Sequence, residues 1–483
     1  MVIGKIFEQA RATPDKTAFI HNGAACSYAL FARRIAAAHE FFARQNLRAG
    51  SVAVLCIGNL PEGWVQGMAL RGLGLTTVAV DSADAIANLG LGNISCVVTI
   101  AAERYPKLAA LAAAARWMTL EVPARTGPGA GGFAHPPAMV QHPAGHIIAT
   151  SGTTGAYKKI LRDALAEAST LDLHAQINGI SAASVVYVRD FPLWTAGGYR
   201  WPLLTWSQGA TVVFQQGRDF HRPHLDCELT HAFDTPATLA HLMGAPEGEL
   251  RRNDRLRLLV TGGALPRALA VAARDRLTLQ VCKVLASTEA LTVSVTPVED
   301  VDDLYWHRIH PSREVEVVDE ADRVLPAGQM GLVRVRILDG VAGYLDDAAA
   351  SRAFFRDGWF YPGDLGVFGP DKRLALYGRV TDVLNVQGNK IGTGPIEREL
   401  QDRLAVEGVC VFSLQSEGTD EEVYVAIQSR RSIAPDELKA VAQGVLGVFP
   451  RLHFHFVDTL PRNQMGKIQR LVLKQQLLAR QAG

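Results

Sequence analysis

Several features that would narrow the function of a 483-residue chain are missing here. No stretch comes near the roughly 20 consecutive apolar residues of a bilayer span, so a membrane role is not expected. The 49 basic and 48 acidic residues cancel to a formal charge of +1, which argues against a broad electrostatic footprint for nucleic acid. The six cysteines (Cys26, Cys56, Cys96, Cys227, Cys282 and Cys410) form no C-x-x-C pair, which excludes a zinc ribbon or a disulfide framework and leaves buried, inert thiols as the expectation. None of the 14 histidines lies in H-E-x-x-H spacing. His453 and His455 alternate with Phe454 and Phe456, as one face of a strand would, without a metal. Lys5 and Glu8 interrupt the N-terminus too early for a secretory apolar segment, so the expected location is cytoplasmic.

What is present is a regular rhythm. An Ala-rich amphipathic pattern over 31–44 precedes a short apolar run at 51–57; helix-like (61–73, 83–89) and strand-like (76–80, 94–100) patterns then alternate. Such alternation predicts βαβ units and a mostly parallel sheet. The Gly- and Pro-rich stretch 123–137 reads as a loop, and further apolar strands are expected at 211–214 and 256–260. After about residue 310 the texture changes to short alternating runs (314–318, 331–337, 374–377), which suit a small antiparallel or barrel-like subdomain. From 383 to the end, a helix over 395–405, strands near 409–414 and 423–428, and helices after Pro435 and Gly466 amount to one further small domain.

The chemistry begins at Ile-Ile-Ala-Thr-Ser-Gly-Thr-Thr-Gly-Ala-Tyr-Lys, residues 147–158. Small hydroxyl-bearing residues directly after an apolar strand let the backbone approach a polyphosphate, and a lysine adds charge. The loop is not G-x-x-x-x-G-K-[ST], because Lys158 lies three residues beyond the second glycine. A glycine-rich turn is more often only a turn, so a phosphate-binding role needs support from other segments of the chain. Four segments supply it, in order: Thr288-Glu289 within Leu-Ala-Ser-Thr-Glu-Ala, Asp364 within Tyr-Pro-Gly-Asp-Leu-Gly, Arg379 after Gly378, and Gly466-Lys467 near the end. Taken singly, Glu289 reads as a helix cap, Asp364 as a turn residue, and Arg379 and Lys467 as solvated charges.

In that order and spacing the set resembles the adenylate-forming superfamily of acyl-CoA synthetases, aryl and fatty acid ligases, peptide-synthetase adenylation domains and luciferases. The resemblance covers nearly the whole chain, from Ala-Thr-Pro-Asp-Lys-Thr-Ala-Phe-Ile (12–20) through Thr-Gly-Gly-Ala-Leu-Pro (261–266). It implies an α/β fold with a large N-terminal domain (1–378) of α/β sheets plus the barrel-like subdomain, a hinge at 379–382 around Thr381, and a small mobile α+β C-terminal domain (383–483). It implies ATP, Mg²⁺ and a carboxylic acid as ligands. Thr150, Ser151, Gly152, Thr153, Thr154, Gly155 and Lys158 would hold the β- and γ-phosphates; Thr288 would touch the α-phosphate, and Glu289 would bind Mg²⁺. Gly263 and Ala264 would border the adenine, Asp364 and Arg379 would hold the ribose, and Lys467 would reach the α-phosphate and the substrate carboxylate. The acceptor would be the thiol of CoA or of phosphopantetheine on an acyl or peptidyl carrier protein, with the segment around Gly388 presented after domain rotation.

Four positions depart from the family's usual pattern. Tyr157-Lys158-Lys159 stands for Pro-Lys-Gly, Leu285 and Ala286 replace an aromatic and a glycine beside the adenine, Thr381 stands where Asp or Lys is common, and Pro192-Leu193-Trp194-Thr195 replaces Pro-Leu-x-His. The region 191–195 contains no aspartate to pair with a substrate ammonium, so a fatty, aryl or other non-amino acid is expected, with Trp194, Thr195, Gly198 and Trp201 at its pocket. The Leu285 and Ala286 changes also leave open a thioester-forming enzyme fed with preformed acyl adenylate, or a silent nucleotide or acyl sensor.

Overall fold

The computed structural model describes residues 2–100, 118–122, 144–151, 157–217, 219–246, 248–386, 389–415, 421–446, 452–462 and 468–481. The predicted loop 123–137 lies outside them. The chain forms two compact units. The first comprises Met1–Ala232, Ser287–Leu291 and Ile337–Arg352; the second comprises Phe233–Ala286, Thr292–Arg336 and Ala353–Gly483.

The first unit is the expected α/β structure. One sheet runs in the spatial order Met118–Glu121, Ile94–Thr99, Val52–Leu55, Thr76–Ala79, His146–Ser151, Tyr157–Arg162. Its neighbouring strands are parallel except the last pair, which is antiparallel and flanks the predicted phosphate loop in sequence. Val52, Val54, Val78, Val97 and Ile147 pack against Ile86 and Leu89 of the helix Ala83–Leu89. These continuous apolar runs are what a parallel strand covered on both faces requires. A second run of pairing joins Ala24–Ser27, Thr17–His21, Thr211–Phe214 and Val185–Arg189. Helices start where polar caps occur: Ser27 accepts the Leu30 N–H at the head of Tyr28–Ala43, Asn59 that of Glu62 ahead of Leu60–Gly72, and Asp163 those of Leu165 and Ala166 ahead of Ala164–Asn178. The Ser27 cap explains why the first of these begins three residues before the expected position.

A polar core ties these layers together. The His146 ring stacks on Tyr199 at 4.1 Å, and Tyr199 stacks on Trp64 at 5.4 Å. The Tyr199 hydroxyl accepts from Arg71 at 2.6 Å and donates to Glu167 at 3.1 Å, while Arg71 also pairs with Glu167 at 3.1 Å. Burial first, and then the Arg71 guanidinium, push His146 from 6.5 down to about 3, so it is neutral when folded. An unfolded chain protonates this ring below 6.5, so the associated stability is complete above that pH and is lost as pH falls toward 3. The expected loss is about 3 kcal/mol by pH 4. Denaturant unfolding of wild type and His146→Gln at pH 7 and pH 4 measures it: the wild-type advantage should shrink on acidification, and an unchanged gap would contradict this account.

In the second unit, Arg257–Val260 and Gln280–Ser287 pair in parallel. Beyond them the texture becomes antiparallel as expected, in a seven-stranded sheet built around Leu374–Arg379, Asp364–Phe368 and Gly331–Arg336. The C-terminal part is α+β. The strands Gly408–Gln415, Glu421–Gln428 and Leu452–Val457 form a small sheet whose alternate residues face opposite ways. Val409, Val411, Val423 and Val425 meet Ile396, Leu400 and Leu404 of the helix Thr393–Leu404, while Cys410, Phe412 and Tyr424 meet Leu473 and Leu477 of Arg470–Gln481. His453 and His455 both stack on Tyr424, as one strand face would place them. All six cysteines are free and only Cys227 is not fully buried; burial pushes the Cys96 thiol up to about 11 and Cys410 to about 12. No helix among the described residues is long and apolar enough to cross a membrane.

Candidate active site

Of the predicted phosphate-binding residues in the first unit, Thr150, Ser151 and Lys158 sit on the paired strands His146–Ser151 and Tyr157–Arg162, with Thr150 in register with Lys158. Gly152, Thr153, Thr154 and Gly155 lie outside the described residues, as do Gly388 and Lys467. Lys158 is half-buried, and its ammonium lies 5.0 Å from the centre of the Tyr344 ring. The same tyrosine donates its hydroxyl to Glu289 Oε1 at 2.8 Å. Lys159, the lysine added relative to the family pattern, points elsewhere: it is buried and donates to the Leu89 carbonyl at 2.7 Å. Of this pair, only Lys158 therefore faces Tyr344.

Arg162, at the end of the same strand, holds the other side of the site. Its guanidinium forms a buried ion pair with Asp339 and donates to the carbonyls of Thr288 and, at 3.1 Å, Glu289. The Leu345 N–H closes the arrangement by donating to the Lys159 carbonyl at 2.8 Å. Three stretches far apart in sequence thus bring Lys158, Thr288 and Glu289 together. A cleft of about 350 Å³ is lined in part by their partners Arg162 and Tyr344, together with Glu167, Asp339 and Gly343. Tyr344 and Arg162 carry no motif signal strong enough to single them out from the chain alone.

Glu289 and the Thr288 hydroxyl are hard oxygen donors, the kind Mg²⁺ takes. Among the described residues no group of three or more His, Cys, Asp or Glu side chains is arranged to hold a metal. A donor set this sparse fits a cation that keeps its waters and arrives on nucleotide phosphates, and does not fit a protein-caged ion.

In the second unit, Asp364 and Arg379 face each other in register on neighbouring strands, with Arg379 Nε 2.9 Å from Asp364 Oδ1. Arg379 also donates to the Pro362 carbonyl at 2.8 Å. Gly263 and Ala264 are exposed on a turn, and Gly262 before them has φ of 87°, a conformation glycine adopts without strain. The replaced positions Leu285 and Ala286 are half-buried and exposed. A basic cluster that sequence reasoning missed lies two residues upstream: Lys283 is buried, donates to the Leu304 carbonyl at 2.9 Å, and is pushed down to about 7 by burial and by Arg398. Burial and Lys283 hold His307 well below its ordinary range.

The predicted acid-pocket residues gather at the start of the helix Ala196–Ser207. Thr195 caps it, accepting the Gly198 N–H at 3.0 Å and donating to the Pro192 carbonyl at 2.7 Å. A Cβ at Gly198 would stand 2.1 Å from the Pro192 carbonyl oxygen, so no larger residue fits. Trp194 is half-buried and Trp201 buried.

Residues 6–345 match the family described as AMP-binding enzyme. The chain belongs to that family. Among curated relatives of this AMP-binding enzyme, an oxalate–CoA ligase of Arabidopsis thaliana is 29% identical over 170 residues, covering 34% of this chain and 33% of the relative. A 4-hydroxybutyrate–CoA ligase of Metallosphaera sedula is 25% identical over 359 residues, covering 68% and 64%. This AMP-binding enzyme thus spans about a third of the first relative's length and just under two thirds of the second's. In fold it is similar to the amide bond synthetase McbA from Marinactinospora thermotolerans (TM-score 0.85, 21% identity, 99% of this chain and 100% of that one). It is also similar to the O-succinylbenzoate CoA synthetase of Bacillus subtilis in complex with ATP and magnesium (TM-score 0.82, 20% identity, 97% and 99%).

Proposed function

We propose that this AMP-binding enzyme uses ATP to convert a non-amino carboxylic acid to its acyl adenylate, and then passes the acyl group to the thiol of CoA or of a carrier-protein phosphopantetheine. The observation that carries this reading is the convergence of Lys158, Thr288 and Glu289 through Tyr344 and Arg162. In the first step a carboxylate oxygen attacks the α-phosphorus of ATP and the bond to the bridging oxygen breaks, releasing pyrophosphate. No general base is needed, because the acid is already ionised near neutral pH. Negative charge accumulates on the phosphoryl oxygens, and preorganised positive charge in a site shielded from water lowers that barrier most. Magnesium, held by Glu289 when bound, supplies part of that charge. Lys158 and the hydroxyls of Thr150, Ser151, Thr153 and Thr154 orient the departing phosphates, Thr288 contacts the α-phosphate, and Lys467 bridges it to the acid.

Asp364 and Arg379 take the ribose, Gly263 and Ala264 border the adenine, and Trp194 with the head of the following helix walls the acid. In the second step a thiol attacks the acyl carbon, AMP leaves and a proton is released. For that step we assign a rotation about 379–382 that withdraws Lys467 and presents the segment around Gly388. The cytoplasm suits this chemistry, and all six cysteines are free thiols.

A panel of fatty, aryl and small acids tests the reading, with pyrophosphate exchange and mass spectrometry of acyl-AMP, acyl-CoA and acyl-carrier products. Exchange dependent on one acid class, followed by a thioester, is the expected result. Thioester formation from synthetic acyl adenylate without exchange would replace it with the single-step reading. ATP binding with no product from any acid would leave only a sensor.

A further inference from the structure

One tyrosine contacts both the lysine assigned to the phosphates and the carboxylate assigned to the metal. Tyr344 and Glu289 are both buried, at 7% and 9% exposure, and the Tyr344 hydroxyl donates to a single carboxylate oxygen, Oε1. Among the described residues, no other side chain is bonded to this carboxylate. The Glu289 carbonyl separately accepts from Arg162 at 3.1 Å, and the preceding Thr288 carbonyl accepts from the same guanidinium. Resting on the reading that Glu289 binds the nucleotide's metal, we propose that Tyr344 is a positioning residue that makes Glu289 a one-oxygen ligand and thereby selects Mg²⁺ over Ca²⁺.

The argument is geometric. A carboxylate that offers both oxygens to one cation subtends a narrow angle, which the larger Ca²⁺ accepts within its six to eight flexible positions. Mg²⁺ demands a near-ideal octahedron and is distorted by such a bite. Tying Oε1 to the Tyr344 hydroxyl leaves Oε2 as the ligating atom and disfavours the two-oxygen mode. Partners that orient ligating carboxylates typically change metal affinity about 10–100-fold when removed. The Tyr344 ring has a second use, since the Lys158 ammonium over its face is held where the terminal phosphates are assigned.

Two substitutions separate these effects in the full-length protein. Calorimetry with α,β-methylene-ATP, in Mg²⁺ or in Ca²⁺, reads binding without turnover. Tyr344→Phe keeps the ring and deletes only the hydroxyl. It should weaken the Mg²⁺ complex about tenfold and leave the Ca²⁺ complex unchanged or tighter. Tyr344→Leu should in addition weaken the analogue relative to AMP, because Lys158 loses its ring. Equal losses in both metals, or an unchanged Mg²⁺ to Ca²⁺ ratio in Tyr344→Phe, overturn the proposal. Glu289→Gln is the control for the underlying reading: if metal dependence survives there, Glu289 is not the ligand, and that assignment fails whatever Tyr344 does.

Discussion

Replacing Lys467 by alanine should slow acid-dependent pyrophosphate exchange on the order of 10²–10³-fold, the usual consequence of removing one preorganised charge donor from a phosphoryl or acyl transition state. Thioester formation from supplied acyl adenylate should change little, since this lysine is assigned to the first step alone. Arg462 and Ile468 form a bridge, and the Gln469 N–H donates to the Pro461 carbonyl at 2.8 Å. Arg470 then pairs with Asp382 at 2.8 Å and with Glu397 at 2.5 Å. Asp382 directly follows the assigned hinge residue Thr381, so Arg470, at the head of the helix Arg470–Gln481, is tied to the residue after that position. Lys467→Arg should not rescue exchange, because a planar guanidinium cannot occupy the place of a compact ammonium. Exchange that survives Lys467→Ala across the whole acid panel would remove Lys467 from the mechanism.

The second large effect is expected at Arg162. Arg162→Met leaves Asp339, at 7% exposure, buried with its charge unpaired, and strips the Thr288 and Glu289 carbonyls of their donor. Breaking a buried pair from one side costs about 3–5 kcal/mol. Denaturant unfolding should show that loss. Arg162→Met with Asp339→Leu should recover much of it, because replacing both partners with apolar side chains is often neutral. Magnesium-dependent binding of the nucleotide analogue should stay weak in the double variant, as the Thr288–Glu289 turn still lacks its anchor. Recovery of stability and binding together would show that Arg162 stabilises the unit without positioning the site.

These two residues mark the boundary of what could be read from the chain. Lys467 is visible in the sequence because the Gly-Lys turn closes an ordered series that starts at Thr150, and order survives without knowledge of contacts. Arg162 is invisible there, since its partner Asp339 is 177 positions away and either residue alone reads as a surface charge. Tyr344 is missed for the same reason, and Lys283 because a lysine in an apolar strand gives no sign of the carbonyl it reaches. That Thr195 caps a helix and that Gly198 lies against the Pro192 carbonyl, too close for a side chain, likewise appears only in the structure.

The α/β alternation, the strands Val52–Leu55, Thr76–Ala79 and Ile94–Thr99, the antiparallel texture after residue 310 and the membership in an AMP-binding family were all legible in the sequence. Each depends on periodicity or on local motifs, which short-range sterics and burial impose within a few residues. Tertiary structure alone decided that the second lysine of the hairpin faces Leu89, that one tyrosine serves both Lys158 and Glu289, and that residues 287–291 and 337–352 join the first unit. Those outcomes come from ion pairs and hydrogen bonds between segments distant in sequence, more than a hundred residues apart for Arg162 and its partners. Only the closed fold, by removing water from around Arg162 and Asp339, makes such pairings obligatory.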